Sequence, residues 1–362
     1  MQQYPSMKAR FLSLLLFTAL ACPAQKRLVL IDQDGAGPGG TDQMSMLALL
    51  QAPNVEVLGI TIVTGDQWRD EETLHTLRML ELTGHANVPV AEGAAFPLVR
   101  SEEATLLAER LYGKAEWLGA WGAHVAPGAN GEEKIPAHGP YEIPPMPEGR
   151  PTIKPVDEDA AHFLVRQVRA HPHQVTIYAA GPMTNIALAI SIDPEFAALT
   201  QGIVLMGGSL DPQTSDPEFA GDPRHEFNFW FDPEAAHIVL HAAWPSIVVT
   251  TVDVSLKAPF TQAVLDEIAK AKTPAARYIA QWSQPQSYMW DELAACAWLD
   301  PSLITKEQTL YMDMDLSHGP SYGNTLTWAA ADKPETGVRL VHAQMDVDTA
   351  KFQKMFVELM TR

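Results

Sequence analysis

Short runs that are apolar at nearly every position alternate along this chain with longer stretches of helical periodicity. Residues 28–31, 55–63, 88–91, 175–179, 203–206 and 247–252 predict strands. Their unbroken apolar character predicts burial on both faces of a mainly parallel sheet. Helical spacing covers residues 42–51, 71–82, 157–170, 185–190 and 233–241, and a last helix spans 349–360. The helix at 233 opens with Asp232 as a capping residue and Pro233 at its first position, which suits a helix start. The order strand–helix–strand predicts an α/β fold: an open, mainly parallel wound sheet flanked by helices, in a single domain. In such a sheet, ligands bind at the carboxyl ends of the strands. Residues 122–155, rich in Pro and Gly, read as a surface excursion, and residues 209–225 as an active-site loop or lid.

Composition narrows the function classes. The chain has 362 residues, 46% hydrophobic and 19% charged, which suits a globular enzyme rather than a disordered chain. A net charge of -19 with no basic patch argues against nucleic-acid binding. The amino terminus reads as a targeting segment. Lys8 and Arg10 precede the apolar run 11–20, which is too short for a membrane-spanning helix in the mature protein and ends in Ala19-Leu20-Ala21. A signal peptide over residues 1–24, cleaved near 21–24, leaves a catalytic domain over 25–362 and predicts export to the periplasm, the envelope surface or the medium. Cys22 also fits, loosely, a lipid attachment position. The second cysteine, Cys296, sits in an apolar run and is expected to fill core.

The chemistry concentrates after the first strand, where Asp32-Gln33-Asp34 runs into a glycine-rich turn and then Thr41-Asp42 at a helix start. Asp32 and Asp34 share a face wherever the strand stays extended. Carboxylates gathered this closely repel one another, and a hard divalent cation with oxygen ligands relieves that repulsion. Three other readings stay open on these residues alone. Gly35, Gly37 and Gly40 satisfy a dinucleotide-binding spacing, although the aspartates would face the pyrophosphate. Asp32-Gln-Asp34-Gly35 is similar to the first motif of haloacid-dehalogenase-like phosphatases, with Asp32 as nucleophile. Or the aspartates only cap a turn and a helix.

Five blocks in order give the chain a wider resemblance. They are Asp32-Gln-Asp34 with Asp42; residues 60–66 ending Gly65-Asp66; Ala179-Ala180-Gly181-Pro182-Met183-Thr184-Asn185; Leu205-Met206-Gly207-Gly208 followed by Glu226-Phe227-Asn228 and Asp232-Pro233; and Trp290-Asp291 with Asp300-Pro301. Together they resemble the inosine–uridine preferring nucleoside hydrolases, calcium-dependent N-ribohydrolases, over nearly the whole mature chain. The resemblance implies a Ca2+ site formed by Asp34, Asp42, the carbonyl of Ala180 and Asp291. It implies ribose contacts from Asp66, Glu226, Asn228 and Thr41, the last standing where the family has a second acidic residue. Glu226 and Asn228, two apart, would face one side of an extended segment. Asp34 would act as general base on a water, and a small-molecule nucleoside would be the partner. A homo-oligomer is compatible with the pattern.

The base site departs from the commoner branch of the family. Trp290 stands where that branch has histidine, and Trp117 lies in a segment placed to cover the base, with nearby Trp121 as a competing choice. Two indoles could sandwich a purine, which resembles the purine-specific inosine–adenosine–guanosine branch. The turn between Asp34 and Asp42 is longer than the common pattern, and loop 209–225 lacks the family's extra ribose-binding asparagine. The expected function is hydrolysis of the N-glycosidic bond of ribonucleosides, purine ones first. A haloacid-dehalogenase-like phosphatase and a catalytically inactive envelope nucleoside-binding protein are the alternatives.

Overall fold

The computed structural model describes residues 1–2, 26–125, 134–285 and 288–362. The signal-peptide segment and Cys22 lie outside the described residues. Eleven strands are present among those described: β1 (Arg27–Gln33), β2 (Val55–Ile62), β3 (Val90–Glu92), β4 (His124–Val125), β5 (Lys134–Ile135), β6 (Val175–Ala180), β7 (Gly202–Met206), β8 (Ile247–Thr250), β9 (Ile304–Met314), β10 (Thr325–Ala329) and β11 (Leu340–Val347). Nine form one sheet in the order β10-β9-β11-β8-β7-β6-β1-β2-β3, and β4 pairs with β5 in a small ribbon on the excursion.

The sheet is parallel from β3 through β11, and β9 and β10 extend it antiparallel. From β1 the chain winds outward through β2 and β3, then returns to β6 on the other side of β1 and winds away through β7 and β8. The reversal puts a crevice beside the carboxyl ends of β1 and β6, where open α/β sheets hold their ligands.

Two apolar layers cover the two faces, as the unbroken strand patterns require. Alternation along β1 sends Val29 and Ile31 to one layer, with helices α1 (Thr41–Gln51) and α2 (Arg69–Thr83) and the helices Trp290–Leu299 and Thr349–Met360. Leu30 joins the other, with the helices Ala160–Ala170, Thr184–Ile192 and Pro233–His241. Every residue of β6 and β7 is buried. Cys296 lies fully buried in the first layer, as expected.

The six strands and six helices expected from periodicity are present, with small shifts at their ends. The antiparallel extension was not legible. Residues 305–309 at the start of β9 are exposed and polar, so no apolar run marks the strand. Among the described residues no helix is long and apolar enough to cross a membrane.

Candidate functional site

A pocket of about 310 Å³ opens at the carboxyl edge of the sheet, within the range usual for small-molecule sites. Each wall comes from the segment just past a strand. Asp34 follows β1 and Asp66 follows β2, while Met206 ends β7 and Val252 follows β8. Asp42 comes from the first turn of α1, and Trp290 and Asp291 open the helix Trp290–Leu299. Thr41, Trp117, Glu226 and Asn228 complete the expected set around the same cavity.

Ala180, the remaining expected ligand, does not line the pocket. It is fully buried at the end of β6, beside Gln33 of β1. The next residue, Gly181, backs directly onto Asp34: a Cβ there would lie 2.9 Å from Asp34 Oδ1.

The acidic cluster is buried. Asp34, Asp42 and Asp291 are at most 4% exposed. Gln33, read in the sequence only as a spacer, bridges two of them: its amide donates to Asp291 Oδ2 at 2.7 Å and to Asp42 Oδ1 at 3.3 Å. Asp34 Oδ2 accepts the backbone N–H of Asp66 at 3.0 Å, whereas Asp34 Oδ1 is buried without a hydrogen-bond partner. Burial, then the charges of Asp66 and Asp291, push the Asp34 carboxyl well above the usual carboxylate range. Burial, then Asp34 and Asp291, do the same to Asp42. Burial raises Asp291 to about 7. The described lining contains no Lys, Arg or His to balance these charges. Oxygen-only donors, an orphaned buried carboxylate oxygen and unrelieved repulsion fit a hard divalent cation.

The longer turn before Asp42 is pinned rather than loose. Gln67 reaches across from the segment after β2, accepting from Gly37 N at 3.2 Å and donating to Gly37 O at 3.3 Å. Gln43 Oε1 accepts from Gly39 N at 2.9 Å and from the Tyr278 hydroxyl at 2.5 Å. Gly39 holds φ +76°, and a Cβ there would lie 2.7 Å from the backbone of Trp282.

Two expectations are corrected. Asp32 and Asp34 do not act together, because β1 ends at Gln33 and the chain turns. Asp32 is fully buried, bonded to Thr61 and to Asn185 Nδ2 at 2.8 Å, and it does not line the pocket. A nucleophile must reach its substrate, so Asp32 is unsuited to the phosphatase role. Secondly, Glu226 and Asn228 do not share the face of an extended segment. Phe227–Phe231 is a short helix, and Glu226 caps it by accepting the N–H groups of Asn228 at 2.9 Å and Phe229 at 3.0 Å. Glu226 also accepts from Gly208 N at 2.9 Å, and its carboxyl, raised by burial against these three bonds, lies at about 7. Thr41, which lines the cavity, donates its hydroxyl to buried Glu292 at 2.5 Å and keeps its oxygen lone pairs to accept.

The aromatic residues separate by role. Trp121 is buried and stacks on Phe231 at 4.4 Å, so it belongs to the packing beneath the excursion. Trp117 lines the pocket, and its Nε1–H donates to Asp66 Oδ1 at 2.7 Å. Trp290 packs edge-on against Tyr288 at 5.1 Å and tilted against Phe219 at 5.8 Å.

Sequence reading missed Phe219 and Glu218, which line the pocket from the short helix Pro217–Ala220 inside the anticipated lid. Their only signal was Asp216-Pro217, the same cap-and-proline start seen at 232–233. Burial, then the charges of Glu226 and Asp216, raise the Glu218 carboxyl to about 8.

Residues 29–354 match the family model described as inosine-uridine preferring nucleoside hydrolase. The probable uridine nucleosidase 1 of Oryza sativa subsp. japonica is 33% identical, covering 71% of this chain and 68% of the relative. A pyrimidine-specific ribonucleoside hydrolase RihA of Klebsiella pneumoniae is 30% identical, over 70% of this chain and 69% of its own length. Among solved structures, a purine-preferring ribonucleoside hydrolase from Gardnerella vaginalis superimposes with a TM-score of 0.70 at 23% identity, covering 92% of this chain and 98% of that one.

Proposed function

From the premise that the chain belongs to the inosine-uridine preferring nucleoside hydrolase family and is a nucleoside N-ribohydrolase, we propose that it acts on purine ribonucleosides and uses calcium. The observation that carries the calcium reading is the buried, all-oxygen set of Asp34, Asp42 and Asp291 with its orphaned Asp34 oxygen. These three, with the Ala180 carbonyl, would hold the ion. When bound, it supplies fixed positive charge that acidifies a water and orients ribose hydroxyls.

The remaining chemistry falls to the chain's own groups. Asp34 Oδ1 accepts a proton from the attacking water. Asp66, Glu226 and Asn228 bind the sugar, and their carboxylates favour the positive charge that develops on the ribose as the N-glycosidic bond breaks. The bonding pair leaves with the base. Glu218, protonated at neutral pH among the aromatic walls, donates the proton that neutralises it. Its carboxyl is protonated below about 8, so the rate on purine nucleosides should fall as pH rises through that value. Glu218→Gln should remove this alkaline limb and lower kcat by about 10²-fold. An unchanged limb in a pH–rate profile would exclude Glu218 as the acid.

Trp117 and Trp290 support the purine preference, because two indoles on the pocket wall offer stacking area to a bicyclic base. The names of the pyrimidine-specific relatives favour a second reading, in which uridine is the better substrate. A panel of inosine, adenosine, guanosine, uridine and cytidine, read by reducing-sugar release, separates the two. Stacking is worth about 1–3 kcal/mol per base, so Trp290→Ala and Trp117→Ala should each slow purine substrates about tenfold or more. Nitrophenyl riboside, whose leaving group needs little help, should be slowed less, and equal slowing of both removes the indoles from base activation. Nucleoside bound without product over long incubation would instead mark a binding protein. The proposal extends to export through the amino-terminal segment, which secretion of a reporter fused to residues 1–24 would test.

A further inference from the structure

Where the start of α2 meets the excursion, a second group of ligating side chains gathers, and none of them lines the main pocket. Glu71 and His75 stand one turn apart on α2, His124 comes from β4, and His138 from the segment after β5. One ligand atom each of Glu71, His124 and His138 fall within 4.8 Å of one another. The three side chains are between 1% and 7% exposed.

These groups are not paired with one another as an ordinary hydrogen-bonded network would be. His138 Nε2 lies 3.2 Å from Glu71 Oε2, while His124 Nε2 and His75 Nε2 stand 3.7 and 3.8 Å from Oε1. The last two are too long for hydrogen bonds. Both oxygens of Glu71 and both ring nitrogens of His124 are buried without a partner. Buried polar atoms are nearly always satisfied, so the two orphaned Glu71 oxygens, with orphaned His124 Nε2 and the Nε2 atoms of His75 and His138 gathered around them, call for a missing partner.

The outer ring nitrogens are held in place. His75 Nδ1 bonds to buried Glu148, and His138 Nδ1 to the Gly139 carbonyl at 3.1 Å. A proton on each Nδ1 leaves a lone pair on each Nε2, the atom that faces Glu71. Carboxylates and backbone carbonyls orient metal-ligating histidines in the same way.

We propose that Glu71, His124 and His138 form a transition-metal site of the zinc type, flanked by His75 one turn along α2 from Glu71. Imidazoles with one carboxylate suit Zn2+, whereas the oxygen-only donors of the main pocket suit a harder ion. The ion ties residues 124 and 138 of the excursion to α2. It also holds the carbonyl of His138 to which Trp68 Nε1 donates at 2.7 Å, and Trp68 belongs to the aromatic cluster against which Trp117 packs. The other His/Asp cluster, His237, His241 and Asp313, lacks this character. There both Asp313 oxygens already bond to the two histidines, at 2.6 and 2.9 Å.

This inference does not depend on the reading of the main pocket. The test uses the full chain, stripped with chelator, reloaded in excess Ca2+ and titrated with Zn2+ by calorimetry, with bound metal counted by mass spectrometry. One zinc equivalent is expected. Its X-ray absorption should show nitrogen neighbours at about 2.0–2.1 Å with imidazole scattering. His124→Ala and His138→Ala should each weaken zinc at least about tenfold, while Asp34→Asn keeps the equivalent. A wild-type chain that holds no zinc would overturn the proposal. So would zinc with oxygen neighbours only, or zinc lost in Asp34→Asn but kept in His138→Ala. If a histidine variant fails to fold by circular dichroism, the wild-type absorption spectrum still decides.

Discussion

Asp34→Asn is expected to lower kcat on inosine by about 10³–10⁴-fold, the upper part of the range for losing a general base. The substitution keeps the shape of the side chain and its bond from Asp66 N, but removes the charge proposed to accept the water's proton. Chelation of the wild-type enzyme should cause a comparable loss, restored by Ca2+. The stability of the cation-free protein separates a functional effect from unfolding. Asp34 is held above its ordinary value by burial and by neighbouring carboxylates. A carboxyl raised on folding contributes stability in full below its unfolded value near 3.9, and loses it as pH rises through the folded value. The cation-free wild type should therefore become less heat-stable from acid toward neutral and alkaline pH. Cation-free Asp34→Asn should decline less, because one of the repelling groups is gone. An inactive variant that is also less heat-stable than the stripped wild type at pH 8 would point to misfolding instead. Full activity in Asp34→Asn would refute the role given to this residue.

Gly65→Ala is expected to lower kcat by more than about 10²-fold without unfolding the protein. A Cβ at position 65 would overlap Asp34 Oδ2 outright and sit 2.6 Å from the Asp34 Cβ. Asp34 cannot retreat, because Gly181 backs onto it from the opposite strand. A displacement of about 1 Å in a reacting group can cost about 10²-fold, and the proposed cation would lose the placement of its Asp34 donor as well. The effect should fall on kcat with every nucleoside, whatever its base, and calcium affinity should drop in parallel. Steady-state kinetics with inosine and uridine, together with calcium titration, would check this. A loss confined to KM, with kcat intact, would show that Gly65 does not set the position of Asp34.

The sequence carried the parts of this architecture that are written in contiguous residues. Doubly buried strands such as Val175–Ala180 and Gly202–Met206 announce themselves because both of their faces are apolar. The aspartates of the pocket were legible as residue types at strand ends and helix starts. What escaped depends on partners distant in the chain. Gln33 looked like a spacer because its roles, bridging Asp42 and Asp291, arise only when a helix more than 250 residues away closes over β1. Glu226 and Asn228 were given the geometry of a strand, because the two-residue spacing does not reveal that the Glu226 carboxylate nucleates a helical turn. His124 and His138 carried no signal at all, since the ligand they accompany, Glu71, lies on another element.

Under the proposed roles, the bond from the Trp117 indole to Asp66 joins the wall meant for the nucleobase to a group meant for the sugar. On that proposal, discrimination between nucleobases and discrimination between pentoses would not be separable traits in this enzyme. Replacing Trp117 to broaden the range of bases would free a carboxylate oxygen of Asp66 and alter deoxyribose-versus-ribose preference in the same step, so engineered variants should shift along both axes together.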